Sequence, residues 1–146
     1  MEVYTIGFGK KSAETFFGAL RQAGIRCLLD VRLNNSSQLA GFTKKGDLPF
    51  FLQELCGASY RHEPLLAPTP EIRNLVKKGK KKNWPEYERG FLSLLAERKV
   101  ETQLDPTMFQ VPTVLLCSEP SAQHCHRRLV AEYLQKHWGH FTITHL

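Results

Sequence analysis

The stretch Pro112-Thr113-Val114-Leu115-Leu116-Cys117-Ser118-Glu119-Pro120-Ser121-Ala122-Gln123-His124-Cys125-His126-Arg127 begins as a β-branched and leucine run and ends in a helical pattern. Thr113 to Leu116 predicts a short strand. Ser121 predicts an N-cap, because from Ala122 onward Leu129, Val130, Tyr133, Leu134 and the pair His137-Trp138 recur at helical spacing. The turn between the two elements holds two thiols, two imidazoles, a carboxylate and a guanidinium. A turn at the carboxyl end of a strand is where α/β proteins carry their chemistry. Cys117 then ends the strand, while Cys125 and His126, one turn before Leu129 and Val130, continue the inward helix face.

Working outward, the same alternation repeats along the chain. Val3 to Ile6 predicts a first strand, and Ser12 caps a helix whose Ala13, Phe16, Phe17, Leu20 and Ala23 share a face before Gly24 stops it. Ile25 to Val31 is almost continuously apolar, as in a parallel strand covered on both faces. Asp47 caps a helix burying Leu48, Phe51, Leu52 and Leu55, Gly57 ends it, and Ala58 to His62 predicts a third strand. Thr69-Pro70 opens a short helix to about residue 78 and Pro85 another to about residue 99; 102–112 reads as irregular, and His140 to His145 as a last strand. Strands alternating with helices predict a single α/β domain over 1–146, a three-layer fold with a mostly parallel five-stranded sheet and helices on both faces. The paired helices at 70–99 form its longest crossover.

A chain of 146 residues suffices to bury roughly 70% of its unfolded surface around one core without covalent staples. Its four cysteines, with no signal peptide and no apolar run long enough to cross a bilayer, predict a reduced, cytoplasmic protein with no membrane partner. Cys27 and Cys56 lie in apolar runs and read as core filling. The net charge is +6, and Lys77-Lys78-Gly79-Lys80-Lys81-Lys82 supplies much of it. An anionic partner such as a nucleotide or nucleic acid would find Lys77, Lys78, Lys80, Lys81 and Lys82 there, although the run taken alone reads rather as a solvated loop between two helices, without interleaved aromatics.

With parallel strands, the carboxyl edge of the sheet carries Gly7 to Gly9, Asp30, Arg32, Tyr60, His62, Cys117 and Glu119, with His145 on the last strand. Ligands bind at that edge in open parallel sheets. Asp30 and Arg32, two apart, face the same way and can pair, leaving part of the guanidinium fork for a phosphate or carboxylate; a plain structural salt bridge explains them equally. Gly7-Phe8-Gly9 suggests a close backbone approach, but it lacks the third glycine of a dinucleotide fingerprint, and no Gly-Lys-Ser/Thr loop exists. Neither a Rossmann cofactor nor a Walker site is supported.

Several of these features together resemble one bacterial and archaeal family, catalogued as domain of unknown function 488. They are Thr5-Ile6-Gly7, Asp30-Val31-Arg32 with Ser37 and Phe42, Tyr60 with His62, Trp84 with Tyr87, and the segment from Leu116-Cys117-Ser118-Glu119 to Cys125-His126-Arg127. The resemblance implies a small α/β domain with a site at those positions, and brings no settled activity. Against the family pattern, Asn35 stands where a proline is usual, Gln38 where a basic residue is usual, and Leu66-Ala67-Pro68 where a Leu-Gly-Gly turn is usual.

The expectation for the cluster is an enzyme acting on a phosphate-containing ligand. Amides at the amino end of the Ser121 helix would attract an anion, with Gly7, Arg32, Ser37, Tyr60, Cys125 and Arg127 binding it. Cys117, Glu119, His126, His62 and Asp30 are the catalytic candidates, an imidazole serving as acid or base and Cys117 as a nucleophile. A Cys-x5-Arg phosphatase cradle is excluded, because Gln123 occupies the arginine position. No cofactor or metal ligand is assigned. Zinc on Cys117, Glu119, Cys125 and one histidine is an alternative, opposed by the absence of a Cys-x2-Cys pair and by the roughly 100° that separates adjacent residues such as Cys125 and His126 around a helix. A non-catalytic nucleic-acid-binding module with a basic loop is the other alternative. It predicts binding that weakens steeply with salt and survives substitution of Cys117 or His126.

Overall fold

The computed structural model describes residues 2–77 and 81–146. Lys78, Lys80 and the side chain of Lys81 lie outside the described residues. Five strands, β1 (Glu2–Gly7), β2 (Cys27–Asp30), β3 (Ser59–His62), β4 (Thr113–Cys117) and β5 (Thr142–His145), form one sheet in the order β3-β2-β4-β1-β5. Every pairing is parallel. The strands that the sequence shows as nearly continuous apolar runs, β2 and β4, lie side by side in the interior of the sheet, where both faces are covered.

The covering layers follow from chain direction. From β1 the chain moves toward β3 through α1 (Ala13–Gln22) and α2 (Leu48–Cys56), whose Phe16, Phe17, Leu20, Leu48 and Leu52 pack on Ile6, Leu28, Val114 and Leu116. From β3 it returns through α3 (Pro70–Asn74), α4 (Trp84–Arg98) and α5 (Val100–Gln103) to β4, and then through α6 (His126–Trp138) to β5. These helices bury Phe91, Leu95, Leu129, Val130 and Leu134 against Val3, Leu29, Leu115 and Cys117 on the opposite face. The three-layer α/β architecture is therefore present. Because β2 departs toward α2 on one face while its neighbour β4 departs toward α6 on the other, their exit loops part and leave a crevice at the carboxyl edge.

Local signals are realised where they are chemically specific. Ser12 Oγ accepts the Thr15 amide at 3.1 Å to cap α1, and Gly57 closes α2 in the left-handed region at φ 61°. Five expectations are corrected. Leu55 is exposed at the end of α2, and Cys27 and Cys56 are half-buried rather than core residues. Helix α3 stops at Asn74, short of residue 78, while part of the stretch read as irregular forms α5 and a 3-10 turn over Pro106–Gln110. The last correction bears most on the site. Ser121 does not cap a helix; its Oγ accepts the Gln123 amide at 3.2 Å in a local turn, and α6 begins at His126 with Cys125 as its N-cap residue. Among the described residues no helix is long and apolar enough to cross a membrane.

Candidate functional site

On the α1/α2 face, the end of β2 builds a closed polar knot. Asp30 is wholly buried, and its Oδ1 accepts from Arg32 Nε at 2.8 Å and from the Arg32 amide at 3.2 Å. Its Oδ2 accepts from Arg32 Nη2 at 2.9 Å, from the Tyr60 hydroxyl at 2.6 Å and from Asn35 Nδ2 at 3.3 Å. Two further guanidinium protons go to Thr43, one from Nη1 to Oγ1 at 3.0 Å and one from Nη2 to the carbonyl at 2.7 Å. Every guanidinium nitrogen of Arg32 thus has a protein partner, and four of its five protons are engaged, so less of the fork is left for a ligand than the half expected. Burial pushes the Asp30 carboxyl up, but the hydrogen bonds and charge of Arg32, with the Tyr60 hydroxyl, outweigh it and hold the group below its ordinary range. Burial, and after it the same contact with Asp30, pushes the Tyr60 phenol well up. Asn35 also donates to the Tyr60 oxygen at 3.1 Å, a bond that a proline there could not make.

On the opposite face of β4, Cys117, Cys125 and His126 meet. His126 Nε2 lies 2.6 Å from the Val31 carbonyl, which can only accept, so this nitrogen carries a proton and Nδ1 is turned toward Cys117 Sγ at 3.4 Å. Phe91 packs edge-on against the imidazole, with ring centroids 5.4 Å apart, and fixes its plane. All three side chains are buried. Burial pushes the Cys125 thiol up, but hydrogen bonds from Cys117 and His126 and the charges of His126 and Arg127 reverse the shift to well below the usual thiol range. The Cys117 thiol moves well above it, through its hydrogen bond to Cys125, its burial and the Cys125 charge. Burial, followed by the influence of the Cys117 and Cys125 sulfurs, pushes the nearby Tyr87 phenol up as well.

Arg127 holds the loop between them. Its guanidinium is buried, donating from Nη1 to the Glu119 carbonyl at 2.6 Å and from Nε to Thr5 Oγ1 at 3.2 Å, with Nη2 3.5 Å from the Pro120 carbonyl. Thr5 Oγ1 in turn lies 2.6 Å from His145 Nδ1. Burial, aided by the Arg127 charge, pushes the His145 imidazole down, which suits it to accept the Thr5 proton. Gly7 explains the close approach foreseen at the end of β1. A Cβ there would stand 1.6 Å from the Glu119 carbonyl oxygen, so the glycine admits the loop's own backbone rather than a ligand. Taken up in this way, Arg127 and Gly7 shape the site without facing it.

A pocket of about 190 Å³ opens at the crevice between the exit loops of β2 and β4. Of the residues singled out in the sequence, it gathers Arg32, Cys117, Glu119, Cys125 and His126. Asp30, Tyr60, His62, Ser37, Gly7 and Arg127 do not line it. His62 Nε2 lies 3.1 Å from the Arg32 carbonyl, and Ser37 Oγ accepts the Leu39 amide at 3.1 Å in an exposed turn. Pattern reading missed Leu33, Asn34 and Val76 in the lining, and with them three residues that bear more on the site. Arg73 on α3 has its Nε buried with no hydrogen-bond partner among the described residues, and its sequence context carries no signal for this. His124, within the opening stretch, packs against Trp84 at 5.2 Å between ring centroids, and Trp84 stacks on Tyr87 at 4.9 Å. Pro68, from the Leu66-Ala67-Pro68 departure, completes the wall.

In the first turn of α6 the Arg128 amide donates to the Cys125 carbonyl at 3.2 Å, while the Cys125 side chain caps neither the His126 nor the Arg127 amide, so the positive end of this helix borders the pocket four residues later than the sequence suggests. The geometric objection to a metal also changes. Cys125 has extended backbone, φ −138° and ψ 140°, and does not share a helical turn with His126. Its sulfur, the Cys117 sulfur and an imidazole nitrogen of His126 all lie within 4.8 Å of one another.

Comparison with curated proteins finds no match, and comparison with solved structures finds none either. The family comparison does. Residues 12–134, which include every lining residue of the pocket and all of the sheet except β1 and β5, match the family described as domain of unknown function DUF488, and the chain belongs to that family.

Proposed function

We propose that the protein is an enzyme acting on a phosphate-containing ligand, a nucleotide or nucleic acid, with Cys117, Cys125 and His126 as its reactive centre and Glu119 at the rim. One observation carries this reading: two thiols and an oriented imidazole share a crevice with a guanidinium whose buried Nε lacks a partner among the described residues, at the topological switch point of a parallel sheet. Arg73 and the first-turn amides of α6 take the anionic end of the ligand. A pocket of about 190 Å³ is smaller than the roughly 300 Å³ and upward usual for whole small-molecule ligands, so it admits the reacting end and leaves the remainder outside. Asp30 acts at a distance as a positioning residue: by accepting the Arg32 amide it sets the turn after β2, and hence the Val31 carbonyl that orients His126.

A thermal-shift panel of nucleotides and oligonucleotides tests the proposal. At least one of them is expected to stabilise the native protein, with the shift lost in Arg73→Gln. Failure of every nucleotide and oligonucleotide to stabilise it would overturn the reading. A second reading, the nucleic-acid-binding module, draws on the exposed Lys77 and Lys82, which border the lining residues Val76 and Trp84. Oligonucleotide binding that falls steeply with salt and is unchanged in Cys117→Ala would favour it.

A further inference from the structure

We infer that Cys117, Cys125 and His126 are the protein ligands of a zinc ion whose fourth position opens into the pocket. The inference deepens the enzyme reading and rests on it for the role of that open position; the metal site itself stands on geometry. Zinc binds thiolate sulfur at about 2.3 Å and imidazole nitrogen at about 2.0–2.1 Å in a tetrahedral arrangement, which sets a sulfur and a nitrogen on the same ion about 3.5 Å apart. Cys117 Sγ and His126 Nδ1 are 3.4 Å apart, and the whole ligand set, Cys125 included, spans no more than 4.8 Å. The two elements carrying these ligands are the end of β4 and the start of α6, so the fold builds the set before any ion arrives.

The surroundings of the imidazole match those of a metal ligand. A zinc-bound histidine characteristically donates its other ring N–H to a carboxylate or backbone carbonyl, which fixes tautomer and ring orientation. His126 does so through Nε2 to the Val31 carbonyl at 2.6 Å, leaving Nδ1 directed at the sulfurs. Two thiolates and a neutral imidazole form the soft donor set that zinc shares with few other biological ions. Three protein ligands with a vacant fourth position form the arrangement of catalytic rather than structural zinc, and all three line the pocket that would deliver water or substrate to the ion. A bound zinc would there polarise a ligand oxygen or lower the pKa of a coordinated water.

Metal analysis of protein purified under reducing conditions, followed by cobalt titration of the metal-free form, tests the inference. The expected result is about one zinc per chain and a cobalt spectrum with intense tetrahedral bands and thiolate charge transfer. Cys117→Ser and Cys125→Ser should each weaken zinc retention at least tenfold in a competition with a chelator. Arg73→Gln should keep the zinc. Should those serine variants misfold, the cobalt spectrum of the native sequence decides alone. A folded, reduced protein that gives no tetrahedral thiolate spectrum, or that holds zinc no better than a folded Cys117→Ser/Cys125→Ser variant, overturns the site. Zinc failure with nucleotide stabilisation intact removes this inference and leaves the enzyme reading standing, whereas zinc binding with no responding nucleotide does the reverse.

Discussion

Two polar clusters lie at the same edge of one sheet, on opposite faces, and they are wired in opposite ways. Around Asp30 every guanidinium nitrogen of Arg32 and both carboxylate oxygens have protein partners, so the knot holds together without a ligand. Around Cys117 the contacts are fewer and one side opens to a crevice beside Arg73, whose Nε has no partner among the described residues. A closed network specifies a fold, whereas an open one leaves bonding capacity for something else. An Asp-Arg pair and a Cys-His-Arg run attract equal attention in sequence, and only the satisfaction of their atoms separates them.

The contrast breaks most sharply at Asp30. Asp30→Ala leaves the buried Arg32 charge uncompensated and is expected to lower the unfolding free energy by about 3–5 kcal/mol in denaturant titrations. Acid gives the same answer in the native sequence. The folded-state pKa of Asp30 lies below its unfolded value of about 3.9, so its contribution is present above that pH and drains away as the pH falls through the native value. The Asp30→Ala variant should show a flatter stability profile below pH 4; a profile parallel to that of the native sequence would deny Asp30 this role.

A smaller effect is expected at the loop that frames the open cluster. Gly7→Ala forces its Cβ onto the Glu119 carbonyl and is expected to cost about 1–3 kcal/mol, while Gly18→Ala on the exposed side of α1, with nothing within 4 Å, should stabilise by about 0.5–1 kcal/mol. Equal effects of the two alanines in thermal unfolding would contradict the close packing at Gly7. The smallest stability change belongs to the open side. Arg73→Gln is expected to alter unfolding by no more than about 0.5 kcal/mol, while reducing affinity for a stabilising nucleotide about tenfold. A large loss of stability there would mean that Arg73 serves the fold.

Much of this architecture was legible because it rests on local chemistry. The apolar runs of β2 and β4 declare strands covered on both faces, and Ser12 and Gly57 bracket their helices for stereochemical reasons that any reader of the chain can apply. The pairing of Asp30 with Arg32 follows from the period of a strand. The start of α6 was hidden because Ser121 satisfies itself in a turn and Arg127 draws the loop carbonyls to β1, a contact across 122 residues on the Thr5 side. Strand order and the approach of Arg73 to the crevice depend on the same long-range packing. Asn35 shows the converse, since its side chain takes a place in the Asp30 knot that local pattern alone does not reveal.

The relay from His145 through Thr5 to Arg127 also sets an order of assembly. On a ribosome, residues 117–127 emerge ahead of β5, and the hydroxyl of Thr5 gains its imidazole partner only when that edge strand docks beside β1. A nascent chain halted before Thr142 would therefore leave the Thr5 hydroxyl without its imidazole acceptor while Arg127 can already hold the Glu119 carbonyl, so the edge strand is the last part of the relay to be put in place.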